Sequence, residues 1–308
     1  MTNLLYRITL LTAVLCAAVD LSAADYLEPG NKPVKVASGC KFTEGPAVDS
    51  QGNVFFSDGP NDRIMQIAPD GKVSIFRQPC GRANGMEFDN EGRLVMCQSA
   101  GATGKRRVAR LEIDGSEVVL ADIFEGKQFN APNDLTIDRK GRIYFTDMAP
   151  PTEKNPTMPP AVYRIDGPGK VVKVIDNLLR PNGIVITPDN KTLYVSDRGV
   201  QKLQRYRVAE DGTLTPDGLV YDFSPDRGID GMCLDTAGNI VAAAGQDKTT
   251  GLFVVSPDGK LICHQPIPEF STNVAFAGKD FRDLYLTAST GVYRMRTITP
   301  GVPPLKKE

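Results

Sequence analysis

Short apolar runs recur six times along the chain: VFFSD (54–58), LVMCQ (94–98), IYFTD (143–147), LYVSD (193–197), IVAAA (240–244) and LYLTA (284–288). Such recurring runs read as short strands. Five of them follow a turn rich in Asp, Gly, Asn or Lys, such as DSQGN or DRKGR, and the sixth follows GKDFRD. A second segment precedes each run by about ten residues. Its copies are EGPAVD (44–49), NGMEFD (84–89), NDLTID (133–138), NGIVIT (182–187), DGMCLD (230–235) and NVAFAG (273–278). A third strand follows most copies and enters an outer hairpin through an Asp-Gly step, as in RIMQIAPDGKVSIF, RVARLEIDGSEVVLA and GLFVVSPDGKLICH. The copies start about 40–50 residues apart, the period of a four-stranded propeller blade. No long helical periodicity competes. The pattern predicts an all-β, six-bladed β-propeller. The last repeat ends in GVYRMR and then becomes PGVPPLKKE, one strand short; KPVKVAS (32–38) can supply that strand and close the ring. Closure of this kind hides sheet edges.

Aligning the second segments superposes Glu44, Asn84, Asn133, Asn182, Asp230 and Asn273. In a propeller the innermost strands line the central channel, so these side chains should face one axis at one height. Every one carries an oxygen. Carboxylates with amide carbonyls suit a hard divalent cation, and two carboxylates, Glu44 and Asp230, match its charge. Six residues exceed the need of one ion, so some are left to face substrate or water. Asn-Gly and Asp-Gly steps alone are turn chemistry, but that does not account for Asn133-Asp134, Asn273-Val274 or Glu44. The aspartates ending several runs (Asp58, Asp147, Asp197) are expected to cap surface turns.

Composition narrows the function. The chain has 308 residues, 41% of them hydrophobic, which is ample for a buried core. A net charge of -1 without a basic stripe gives nucleic acid no footprint. Residues 1–24 read as a secretory leader, with Arg7, the apolar LTAVLCAAV and small residues before Asp25. That leaves 25–308 as a single propeller domain, exported to the periplasm or secreted, with no membrane span. Its five cysteines are odd in number, so they cannot all pair internally; Cys80 and Cys97 are the only two close in sequence. A single histidine, His264 in KLICHQP, weighs against zinc sites needing several imidazoles. It is expected to be an ordinary blade residue. A G-x-S-x-G elbow is missing too. The proline-rich segment 149–160 lengthens its loop and is expected to border the site mouth.

With these residues in view, the sequence resembles the bacterial gluconolactonases of the family that includes senescence marker protein (regucalcin) and luciferin-regenerating enzyme. The resemblance spans roughly residues 35–297 and rests on FTEGPAVD, ANGMEFDNEGRLVMC, APNDLTIDRKGRIYFTD, RPNGIVITPDNKTLYVSD, IDGMCLDTAGNI and STNVAFAGKDFRDLYLTAST taken together. It implies a six-bladed propeller with one axial divalent cation, calcium first, with zinc, magnesium or manganese as alternatives. Glu44, Asn182 and Asp230 match the family's metal ligands. Asn133 matches the asparagine that contacts substrate or a metal water, and Asn84 and Asn273 match pore-lining positions assigned here to substrate. The implied activity is hydrolysis of a small-molecule sugar lactone, with Asp230 orienting or deprotonating the attacking water. Asn133, with Asn84, would then steady the developing oxyanion or ring hydroxyls.

The chain departs from the family twice. Gln98-Ser99 stands where many bacterial members carry Glu-His, and Ala131 stands where regucalcin has an arginine two residues before its substrate asparagine. Both changes concern the substrate and spare the metal ligands. Two other readings therefore stand beside the first: a calcium-dependent esterase or lactonase for non-sugar substrates, and a non-catalytic propeller plugged by a metal. Propellers host many functions, so the fold alone does not choose.

Overall fold

The computed structural model describes residues 26–150 and 152–304. The leader expected over 1–24 lies outside them. Six four-stranded antiparallel sheets form the blades. Blade one runs outward through Thr43–Val48, Val54–Asp58, Arg63–Ile67 and Val73–Arg77. The other inner strands are Ala83–Phe88, Pro132–Ile137, Pro181–Ile186, Met232–Leu234 and Ser271–Ala277. Each inner strand touches those of both neighbouring blades, so they form a closed ring. The predicted closure is present: Val34–Ala37 pairs with Gly291–Arg296 as the outer strand of blade six. Among the described residues, helix is limited to two 3-10 turns, Gly59–Asn61 and Asp247–Thr249. Among the described residues no helix is long and apolar enough to cross a membrane. A two-stranded hairpin, Ile123–Phe124 with Lys127–Gln128, is inserted before blade three and was not foreseen in the sequence.

The core is divided among the six interfaces between blades. Val54 and Phe56 pack toward blade six, whereas Phe55, on the opposite pleat, packs toward blade two. A second strand thus buries both faces, which is why VFFSD and its copies read as unbroken apolar runs rather than alternating ones. Aromatic side chains fill the interface between blades two and three, where Phe129 meets Phe145 and Tyr163 edge-on and those two stack, with centroids 5.1–5.5 Å apart.

The polar ends of these runs act as pins. Ser57, Thr146 and Ser196 are fully buried, and each hydroxyl donates to a carbonyl of the next blade's inner segment: Asn84, Asn182 and Ile229 at 3.2, 2.9 and 2.7 Å. Asp58, Asp147 and Asp197 follow them. They do hold turns, as expected, but they are buried rather than on the surface. Asp147 accepts from the Asn130 and Ala131 N–H groups at 3.0 and 2.8 Å, and Asp197 from Leu179 and Arg180 at 2.9 and 2.8 Å. The same Ser/Thr-Asp pair therefore ties down its own blade's incoming loop and the neighbour's inner strand. A buried hydrogen bond of this kind contributes about 1 kcal/mol, and orphaning its partner costs more.

The glycines after the ring residues are not turn glycines. They lie where adjacent inner strands come closest. A Cβ on Gly85 would sit 2.3 Å from Asp134 Oδ1 and 2.7 Å from the Asn133 carbonyl. Gly85→Ala is therefore expected to cost about 1–3 kcal/mol by overpacking. A thermal melt at or above the wild-type Tm would contradict this close approach.

Candidate functional site

A kink in the inner strands aims the ring residues. In five blades the strand register slips within a few residues of the ring position, as between Glu44 and Ala47 or between Pro181 and Ile184. An irregularity of this kind bends a strand and redirects one side chain.

The six positions lie on or just before the inner strands, but their side chains do not form one uniform ring. Asn182 and Asp230 are 2% and 3% exposed, and Asn182 Nδ2 donates to Asp230 Oδ1 at 2.7 Å. Asn273 instead donates to Asp134 Oδ2 at 3.3 Å. Among the described residues the Glu44 carboxylate accepts one hydrogen bond, from the N–H of the adjacent Gly45 at 3.2 Å. Desolvation, then the neighbouring Asp230 and Asp134, pushes its carboxyl well above the ordinary range. Asn84 and Asn133 are half-buried, and among the described residues their side chains make no hydrogen bond to protein.

Four functional candidates were missed in the sequence. Asp134 neighbours Asn133, and burial first, with Asp230 adding, raises its carboxyl to about 7. Arg227 is 9% exposed, and its Nη1 donates to Asp230 Oδ2 at 2.8 Å while Arg198 Nη1 reaches Oδ1 at 3.1 Å. The rest of Arg227 is also spoken for: Nε donates to the Gly245 carbonyl, Nη2 to that of Ser271, and the guanidinium lies 4.0 Å over the Phe270 ring. Arg180 lies near both Arg198 and Asp230, and desolvation together with the Arg198 charge lowers its pKa. These arginines sit on connecting segments, which show no periodicity. The available signal was their place, two residues before Asn182, three before Asp230, and just after the Ser-Asp pair of blade four.

The donor set suits a hard cation. It is all oxygen, and the Glu44 carboxyl is desolvated beside other acids without a cationic hydrogen-bond partner. Among the described residues no three His, Cys, Asp or Glu side chains cluster as a metal site by themselves. The Asn182 amide, turned to offer Oδ1, would therefore have to join Glu44 and Asp230.

A cavity of about 640 Å³ enters the channel from the other end, lined by Met86, Glu87, Phe88, Ile184 and Met232 among others. It reaches Asp134 and Asn273 but not Glu44, Asn182 or Asp230. Glu87 faces it, and desolvation, with Asp134 adding, raises its carboxyl to about 8. A raised carboxyl favours the fold when protonated, so this contribution is complete below the unfolded pKa of about 4.5 and is lost as pH rises through about 8. Glu87→Gln, neutral throughout, is expected to melt several degrees above wild type at pH 8.5 and level with it at pH 4. Equal melting at both pH values would refute the assignment.

The remaining expectations fall away from the axis. His264 stacks on Phe253 at 4.2 Å, and its Nε2 lies 2.8 Å from the Thr249 carbonyl, as an ordinary blade residue. Gln98 is buried at the end of its strand, bonded to the Cys80 carbonyl, Glu117 and Arg107. Ala131 is buried, and its N–H is held by Asp147. Among the described residues Cys80 and Cys97 form no disulfide, nor do Cys40, Cys233 and Cys263. The proline-rich loop folds against blade three: Thr157 N–H and the Met158 carbonyl bond the side chain of buried Asn130, three residues before Asn133.

Comparison with known proteins agrees with this architecture. Residues 42–290 match the family described as the SMP-30/Gluconolactonase/LRE-like region. The chain belongs to that family. It is 32% identical to a gluconolactonase of Zymomonas mobilis, over 87% of this chain and 82% of the relative. A gluconolactonase structure from Xanthomonas campestris superposes with a TM-score of 0.79 at 28% identity, covering 89% of this chain and 92% of that one. A calcium-binding regucalcin of Agrobacterium tumefaciens shares the fold, with a TM-score of 0.73 at 18% identity over 90% and 97% of the two chains.

Proposed function

We propose that this protein is a cation-dependent lactone hydrolase that opens a sugar lactone at the channel throat. One observation carries the reading. Glu44, Asn182 and Asp230 are brought together as neighbouring oxygens, and Asn84 and Asn133, whose amides have no protein partner among the described residues, sit at the matching inner-strand positions of two other blades. The gluconolactonase and lactonase names of its relatives support the same reaction class.

Glu44, Asn182 and Asp230 would hold one divalent cation, with calcium as the first candidate on the hardness of the donors. Once bound, it would supply positive charge that polarises a lactone carbonyl and acidifies water. Asn133 and Asn84 donate to the carbonyl oxygen as it gains charge, or to ring hydroxyls, and Asn273 is held in place by Asp134. Asp230 already accepts from Arg227, Arg198 and Asn182. Its part is therefore to fix the direction of attack while these donors hold it still. Arg227, stacked over Phe270, is held rigid beside Asp230. On the pattern of residues 1–24, the protein works outside the cytoplasm.

The test is acid release in a pH-stat from glucono-δ-lactone, simple aliphatic and aryl lactones, and linear esters, with calcium present. Ring opening of the sugar lactone is the expected result. Turnover confined to aryl or aliphatic substrates would favour the non-sugar reading, which the buried methyl of Ala131 supports. No acid from any substrate, while calcium still raised the Tm, would replace the enzyme with a binding propeller.

A further inference from the structure

Blade four carries two guanidinium groups beside the site, and one of them has no acid to pair with. Arg180 immediately precedes the inner strand holding Asn182, and Arg198 immediately follows Asp197, which ends the second strand. Their backbones are joined, Arg198 N–H to the Arg180 carbonyl at 3.0 Å. Arg198 shares Asp230 with Arg227 and Asn182. Asp197, the other nearby acid, spends its oxygens on the N–H groups of Leu179, Arg180 and Gly199. Among the described residues no carboxylate is left within ion-pair distance of Arg180, although the already shared Asp230 is near enough to feel its charge. Its Nε is buried with no hydrogen-bond partner, and its guanidinium forms no ion pair among the described residues. A half-buried guanidinium next to a like charge is costly unless an anion joins it.

We propose that the substrate carries an anionic group in addition to the lactone, and that Arg180 together with Arg198 binds it. This rests on the lactonase reading above. Guanidinium groups present planar donor forks suited to carboxylate or phosphate. A second carboxylate or a phosphate ester would answer both the charge and the idle donor. A neutral sugar lactone could accept the hydrogen bond but would leave the charge unanswered. Blade three, where Ala131 stands two residues before Asn133, offers no guanidinium at the equivalent place.

The calcium-loaded protein is assayed with D-glucaro-1,4-lactone, 6-phosphoglucono-δ-lactone and neutral glucono-δ-lactone. Wild type should prefer one of the two anionic lactones, and which one identifies the anion. Arg180→Gln should lower the anionic-to-neutral ratio of kcat/KM by about 10–100-fold, mainly through KM, the loss expected for hydrogen bonds to a charged group. Arg180→Lys should recover part of it, and Arg198→Gln should lower the ratio in the same direction. Calorimetry on cation-free protein gives a second readout: D-glucarate should bind more tightly than D-gluconate, and Arg180→Gln should erase the difference. A ratio and a binding difference unmoved by Arg180→Gln would overturn the proposal. If no lactone turned over, the lactonase reading would fall, while the glucarate comparison would still decide the role of the arginine pair.

Discussion

Asp230→Ala is expected to lower kcat/KM for lactone opening by about 1000-fold or more. The substitution removes a cation ligand and the group that directs attack. It also strips two guanidinium groups of their shared partner in a region where Arg227 is only 9% exposed. Breaking a buried ion pair from one side costs about 3–5 kcal/mol, so the Tm should fall as well. Asp230→Asn separates the two effects. It keeps the shape and an acceptor for one arginine, so it should recover much of the Tm and little of the activity. Near wild-type turnover in the alanine variant would remove Asp230 from the mechanism.

Glu44→Gln should have effects of opposite sign on binding and folding. Its carboxyl has no cationic hydrogen-bond partner in the protein, and burial, Asp230 and Asp134 all work against its charge. Without a cation, the amide relieves that repulsion, so the variant should melt no lower than wild type. With a cation, an anionic ligand is lost. Changes one step further out, to the partners of metal ligands, already weaken affinity by about 10–100-fold, and the loss here should be at least that large. Calorimetric titration and melting curves with and without chelator check both halves. A variant that bound calcium like wild type would exclude Glu44 as a ligand.

The blades were legible because each second strand is buried on both faces, so VFFSD and its copies stand out from the turns between them. The axial ring followed from the register of those copies, and closure by Val34–Ala37 from the strand missing after GVYRMR. What misled was local chemistry with two physical origins. Gly85 and Gly231 look like turn glycines beside Asn and Asp, but they serve close approach between blades, a long-range contact. Asp147 and Asp197 look like surface caps because they follow strands, yet the loop they hold folds back over them. The arginines of the throat were missed because loops carry no period. Which acid each would meet depends on contacts as distant as Arg198 to Asp230. The division of the ring into an Asn182–Asp230 pair and an Asp134–Asn273 pair was also beyond a pattern that treats all six positions alike.

The most direct measurement is lactone hydrolysis by chelator-stripped protein as calcium is titrated back, with bound metal counted in parallel. Turnover should be absent from the stripped protein and rise in proportion to metal until one divalent ion is bound per chain. Full turnover by protein containing no metal would contradict the cation-dependent site built from Glu44, Asn182 and Asp230.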